Sequence, residues 1–195
     1  MGCDIHSWAE VKRDGKWCRV TEKLFSDWGD HTTSEPFGCR SYGVFAFLAG
    51  VRIYSHVPVL VEPRGLPTDS DWLNGVSKYA YENNPMSGEI IPYEERETNK
   101  RDIENDPNYH THSWISLQEL MDFDYGQKFE NRRISETVIA SGGTTIIDGS
   151  AEAQQGHGKE LTYREFLGKG FFEHLFQLQT MGLPADVRII FYFDN

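Results

Sequence analysis

Hydrophobic and polar residues alternate from the start of the chain. Across residues 3–13, Asp4, His6, Trp8 and Glu10 fall on one side of an extended backbone, and Cys3, Ile5, Ser7, Ala9 and Val11 on the other. This period-two pattern predicts a strand, and Asp14-Gly15 predicts a tight hairpin into a second strand over 17–24. The far end repeats the pattern: in Asp186–Asn195, Val187, Ile189, Phe191 and Phe193 share one face, and Arg188, Ile190, Tyr192 and Asp194 the other. Both faces are largely apolar, as in a central strand covered on both sides.

Helical signals lie between these ends. Ser41–Ala49 reads as a short apolar helix stopped by Gly50. The capping box Ser116-x-x-Glu119 opens a helix through about Phe123. A second box, Thr162-x-x-Glu165, opens the strongest helix, to about Met181, with Leu167, Phe171, Leu175 and Leu178 at helical spacing and Gly182 as stop. Asp69–Tyr81 has helical character, with Thr68 or Asp69 as N-cap.

Val57–Val61 reads as a brief strand closed by Pro63-Arg64-Gly65-Leu66-Pro67, and 126–139 fits a helix or a strand. Residues 25–39 read as a loop and 141–160 as a mobile one; the polar stretch 83–109 reads as an excursion of the kind that forms lids or binding loops. Together these elements predict a single α+β domain over 1–195, with a mainly antiparallel sheet that includes both terminal strands and helices packed on it.

With 195 residues, the chain is long enough to bury a core, and its 13% aromatic content argues for a folded globule. The net charge of −11 excludes general nucleic-acid binding but leaves room for a local basic pocket that takes a small anion. Cys3, Cys18 and Cys39 are odd in number and have no C-x-x-C spacing, which points to a reducing cytoplasm. No secretion leader and no apolar run near membrane-spanning length is visible, so no membrane partner is expected; the oligomeric state is left open.

Candidate chemistry begins in the first six residues, Met1-Gly2-Cys3-Asp4-Ile5-His6. Strand alternation sets Asp4 and His6 side by side and turns Cys3 away from them. A second cluster, Tyr109-His110-Thr111-His112-Ser113-Trp114, holds an H-x-H that would put two imidazoles on one face of an extended segment. Asp4, His6, His110 and His112 together supply three imidazoles and a carboxylate, a set suited to a divalent transition metal such as Zn, Mn or Fe. Such a metal would lower the pKa of bound water and create a hydroxide nucleophile.

Asp194, at the end of the last strand, is a further carboxylate: a ligand, a base or a solvated terminal group. Cys3 offers a thiolate mechanism in which a histidine acts as base. Arg40, Arg52 and Arg64 lie at or beside turns, where guanidinium groups clamp phosphate or carboxylate, or pair with the many surface acids. Trp8 and Trp114 each sit two residues beyond a motif histidine, placed to stack on a ring or to pack in the core.

The opening MGCDIH, the segment from Arg40 to Arg52 (R-x-Y-x-x-F-A-x-L-A-G-V-R), the E-P-R-G-L-P turn, the H-x-H-S-W segment and the closing F-D-N resemble a family of uncharacterised bacteriophage and bacterial proteins. The resemblance implies a small cytoplasmic or phage-encoded accessory protein, in the host cytoplasm if phage-encoded, that acts on or holds a small molecule during infection. The expected function is a metal-dependent hydrolase of a small phosphorylated or nucleotide-like substrate, with Arg40 and Arg64 clamping the anion. A non-catalytic binder that sequesters a signalling nucleotide, and a Cys3-dependent enzyme, are its rivals.

Overall fold

The computed structural model describes residues 2–27, 31–38, 40–73, 103–134, 137–140, 143–146 and 151–194. In chain order the elements are β1 (Ile5–Arg13), β2 (Lys16–Arg19), β3 (Phe25–Ser26), β4 (Thr32–Thr33), α1 (Tyr42–Ala49), β5 (Tyr109–Ser116) and α2 (Leu117–Asp122). There follow β6 (Lys128–Asn131), β7 (Arg133–Ile134), β8 (Thr137–Ala140), β9 (Gly143–Ile146), β10 (Ala151–Glu152), β11 (Lys159–Thr162), α3 (Tyr163–Gln179) and β12 (Val187–Asp194). The fold is α+β, and its principal sheet is antiparallel, in the order β2-β1-β12-β5.

The two ends of the chain thus pair with each other at the centre of this sheet. In the β1–β12 register, His6 faces Tyr192, Trp8 faces Ile190 and Glu10 faces Arg188. Asp14 and Gly15, both at positive φ (50° and 79°), make the hairpin turn between β1 and β2. As its alternation predicts, β12 is buried on both faces: Val187, Ile189, Ile190, Phe191 and Phe193 are all 1% exposed or less. Each such side chain contributes about 1.5–3 kcal/mol by leaving water.

One sheet face carries Trp8 and Ile190, packed with Leu66, Trp72, Leu73 and Ile103. The other carries Ile5, Ala9, Phe191 and Phe193, all buried. His174, on the second half of α3, is a buried structural histidine. Its Nδ1 accepts the Phe37 amide (2.7 Å), its Nε2 donates to the Ser26 carbonyl (2.8 Å), and burial holds its pKa below the usual 6.5.

A charged network lies inside the sheet. Glu10 and Arg188 are 0% and 2% exposed. Arg188 Nε donates to Glu10 Oε2 (2.9 Å), Nη2 lies 2.8 Å from the same oxygen, and Nη1 reaches Asp69 Oδ1 (2.7 Å). Glu10 Oε1 accepts from the Ser70 hydroxyl and from Trp8 Nε1. Arg19 stands opposite Glu10 on β2, so register places the carboxylate between two arginine positions.

Other expectations change. Val57–Val61 forms no strand, because Pro58 lacks the amide a ladder needs. The described residues of the ambiguous stretch 126–139 form β6, β7 and β8, and 141–160 contains β9, β10 and the start of β11. The helix expected as one piece from Thr162 is interrupted at Gly168, where φ is 73°. Most of Asp69–Tyr81 and of the 83–109 excursion lies outside the described residues.

The residues gather into two compact units. Met1–Arg40, Pro63–Phe123 and Gly170–Asn195 form one; Ser41–Glu62 and Asp124–Lys169 form the other. No helix among the described residues is long and apolar enough to cross a membrane.

Two stability predictions follow from the buried groups. Arg188→Met strands the Glu10 carboxylate and should cost about 3–5 kcal/mol in urea denaturation, while adding Glu10→Leu should recover most of it; a double variant no more stable than the single would refute this. His174 is neutral in the fold, so the unfolded chain binds its proton first as pH falls. The stability it provides is complete above pH 6.5 and lost as pH drops through the lowered native value. His174→Gln should flatten the dependence of melting temperature on pH below 6.5.

Candidate functional site

Antiparallel pairing of the terminal strands brings four of the sequence candidates together. Asp4, just before β1, donates its amide to Asp194 Oδ1 (2.9 Å), and Asp194 returns its own amide to the Asp4 carbonyl (3.2 Å). His6 projects from the adjacent position, its Nε2 3.1 Å from Asp194 Oδ2. Arg40 closes on Asp4 in a two-pronged contact: Nε to Oδ1 at 2.6 Å, and Nη2 to Oδ2. His6 and Asp194 are about one third exposed (36% and 33% of their side chains), so the pair meets solvent.

Electrostatics fixes the roles within the cluster. The Arg40 hydrogen bond, against a smaller opposing effect of burial, lowers the Asp4 pKa. Burial alone would raise Asp194, but the Asp4 amide and His6 outweigh it, and its pKa is lowered too. An ionised carboxylate only accepts hydrogen bonds. Asp194 therefore selects the His6 tautomer with its proton on Nε2, which leaves the lone pair on Nδ1. Among the described residues, no hydrogen bond engages Nδ1.

Two aromatic rings wall the histidine, and neither was foreseen. His6 stacks on Tyr192 (centroids 5.0 Å apart, planes at 19°), with Tyr109 at 5.6 Å. Burial, and then the neighbouring Tyr109, push the Tyr192 phenol well above its ordinary pKa, so it stays protonated. Both tyrosines are visible in the sequence, Tyr192 on the face that carries Asp194. Only strand pairing shows that they meet.

The second histidine cluster divides. Between the Phe191–Ser113 and Phe193–His110 pairs, β5 advances three residues while β12 advances two. The extra residue is a β-bulge at Thr111, whose φ of 52° is unusual for a β-branched residue. The expectation that His110 and His112 share a face is thereby corrected. His112 joins the Tyr192 face (5.8 Å) and His110 stacks on Phe193 (6.0 Å) on the other. His112 Nε2 is 3.1 Å from the Ile103 carbonyl.

The metal set built from Asp4, His6, His110 and His112 is therefore not assembled: one imidazole is on the wrong face and Asp4 is taken by Arg40. Among the described residues, no three His, Cys, Asp or Glu side chains group so as to hold a metal ion.

The remaining candidates are dispersed. Cys3 is 0% exposed, a thiol enclosed by the core rather than presented to a substrate. Trp8 is buried as core. Arg64 and Trp114 lie together, away from the cluster, with Arg64 paired to Glu119. Arg52 belongs to the second unit, where it lies 5.9 Å over the Tyr42 ring.

Comparisons with protein-family models, curated proteins and solved structures give no match, so the chemistry is argued from these residues alone. A direct check is the tautomer: long-range ¹H–¹⁵N correlation spectra should place the proton of neutral His6 on Nε2. Asp194→Ala should erase that preference, and a spectrum unchanged by the substitution would show that Asp194 does not orient the ring.

Proposed function

We propose that this chain is a hydrolase of a small phosphorylated or nucleotide-like molecule, working at the His6–Asp194 pair. The observation that carries the reading is the pair itself: a part-exposed imidazole oriented by an ionised carboxylate, with a guanidinium beside it. In the proposed step, His6 Nδ1 takes a proton from water as the water oxygen attacks phosphorus. The bond to the leaving oxygen breaks, and the resulting imidazolium is stabilised by Asp194 and can return the proton to the leaving group.

Arg40 supplies the anion contact by exchange. Its pair with Asp4 is about half exposed (52% and 46% of the side chains), and such exposed pairs contribute about 0–1 kcal/mol, so a phosphate oxygen displaces Asp4 at little cost. No step in this scheme is routed through a metal, because the residues expected to bind one do not converge.

The rings of Tyr109 and Tyr192 around His6 favour a second reading, in which the same cluster retains a small nucleotide without turning it over. The two are separated by incubating the protein with nucleotides, cyclic nucleotides and generic phosphate esters, with and without chelator and added divalent metal. Turnover that falls about 10²–10⁴-fold in both His6→Ala and Asp194→Ala supports the hydrolase. A ligand recovered unchanged after heat denaturation supports retention. Neither turnover nor retention, or turnover indifferent to both substitutions, refutes the site.

A further inference from the structure

The sheet face that carries His6 also carries, toward its opposite end, a row of indoles and guanidinium groups. Trp17 on β2 and Trp114 on β5 flank Arg188 on β12, whose guanidinium lies 4.1 Å from the Trp17 centroid and 5.7 Å from that of Trp114. Arg64 lies 4.8 Å over Trp114. These side chains, with Ser116, Gln118 and Glu119, line a cleft of about 380 Å³. That volume suits a base or nucleoside rather than a large ligand.

The charges of the cleft are already matched. Arg64 pairs with Glu119, and Arg188 with Glu10 and Asp69. A phosphate or carboxylate would find no unmatched cation here and would meet the Glu119 carboxylate. What the cleft offers is indole surface for stacking and the Gln118 amide, whose Nε2 donates to Asp122 Oδ1 and whose carbonyl oxygen can accept; the Ser116 hydroxyl is taken up by the capping box with Glu119. Glu119 is a fixed acceptor: burial would raise its pKa, but Arg64 and Ser116 hold it at about 2. Arg188 Nη2, though 2.8 Å from Glu10 Oε2, is off line for a hydrogen bond and keeps donor capacity unspent.

We propose that this cleft binds an uncharged, planar, nucleobase-like ring, stacked against Trp17 and Trp114, with its polar edge met by Gln118 and Glu119. The inference is independent of the chemistry assigned to His6 and Asp194. Stacking on an indole is tolerant of ring identity, while the polar edge selects among rings.

The test is titration of the full chain with adenosine, guanosine, cytidine and uridine, followed by tryptophan fluorescence and calorimetry, with inorganic phosphate as a separate arm. At least one nucleoside should saturate and phosphate should not. Trp17→Ala should weaken binding about tenfold, a typical loss for one stacking partner. Ala185→Trp, at an exposed position lining the cleft, should block it without removing any core group. His6→Ala should bind as the parent does. The proposal is overturned if no nucleoside saturates, if both cleft variants bind at parental strength, or if only His6→Ala loses binding.

Discussion

The buried pair of Glu10 and Arg188 is the constraint on which the rest of the structure depends. Removing two charges from water costs several kcal/mol per ion, and mutual attraction offsets this only with good geometry and satisfied hydrogen bonds. Here Arg188 meets Glu10 and Asp69, while Ser70 and Trp8 complete the carboxylate. Side chains in a strand alternate with a period of two, so a slip of one residue between β1 and β12 would turn one charge into the layer of Phe191 and Phe193. The pair thus fixes the register of the two chain ends.

That register makes the candidate site. With Glu10 opposite Arg188, His6 must stand opposite Tyr192, and the chain before β1 must lie beside Asp194. The charged groups at the two ends of this face differ in setting. The Arg40–Asp4 contact is half in water and easily exchanged, whereas Arg188 is sealed by neighbours and serves register and packing. The proposed anion contact uses the first guanidinium, and the proposed neutral ring lies beside the second.

A local irregularity completes the arrangement. The Thr111 bulge keeps a β-branched residue at positive φ, a conformation that persists only when its surroundings enforce it. On one side of it, Phe193 stacks on His110; on the other, the Pro63–Pro67 turn docks on β5, its Gly65 amide donating to the His112 carbonyl (2.9 Å) and its Arg64 amide to Ser113 Oγ (3.1 Å). The bulge delivers His112 to the tyrosine face and withdraws His110 from it. The turn covers part of an edge strand that would otherwise expose ladder groups.

The sequence by itself determined the α+β class, the terminal strands, the hairpin at Asp14-Gly15, both capping boxes and the pairing of Asp4 with His6 on one face. Each of these follows from alternation, turn chemistry or capping, which act within a few residues. It also marked Asp194 and Arg40, but not that they would meet Asp4 and His6, because their meeting depends on strand order and register. The split of His110 from His112, the burial of Glu10 with Arg188 and the ring wall of Tyr109 and Tyr192 were decided only by tertiary structure. A bulge leaves no mark on hydrophobic periodicity. A charge stays in a core only when distant groups satisfy it, and residues about 180 positions apart come together only through the packing of the whole sheet.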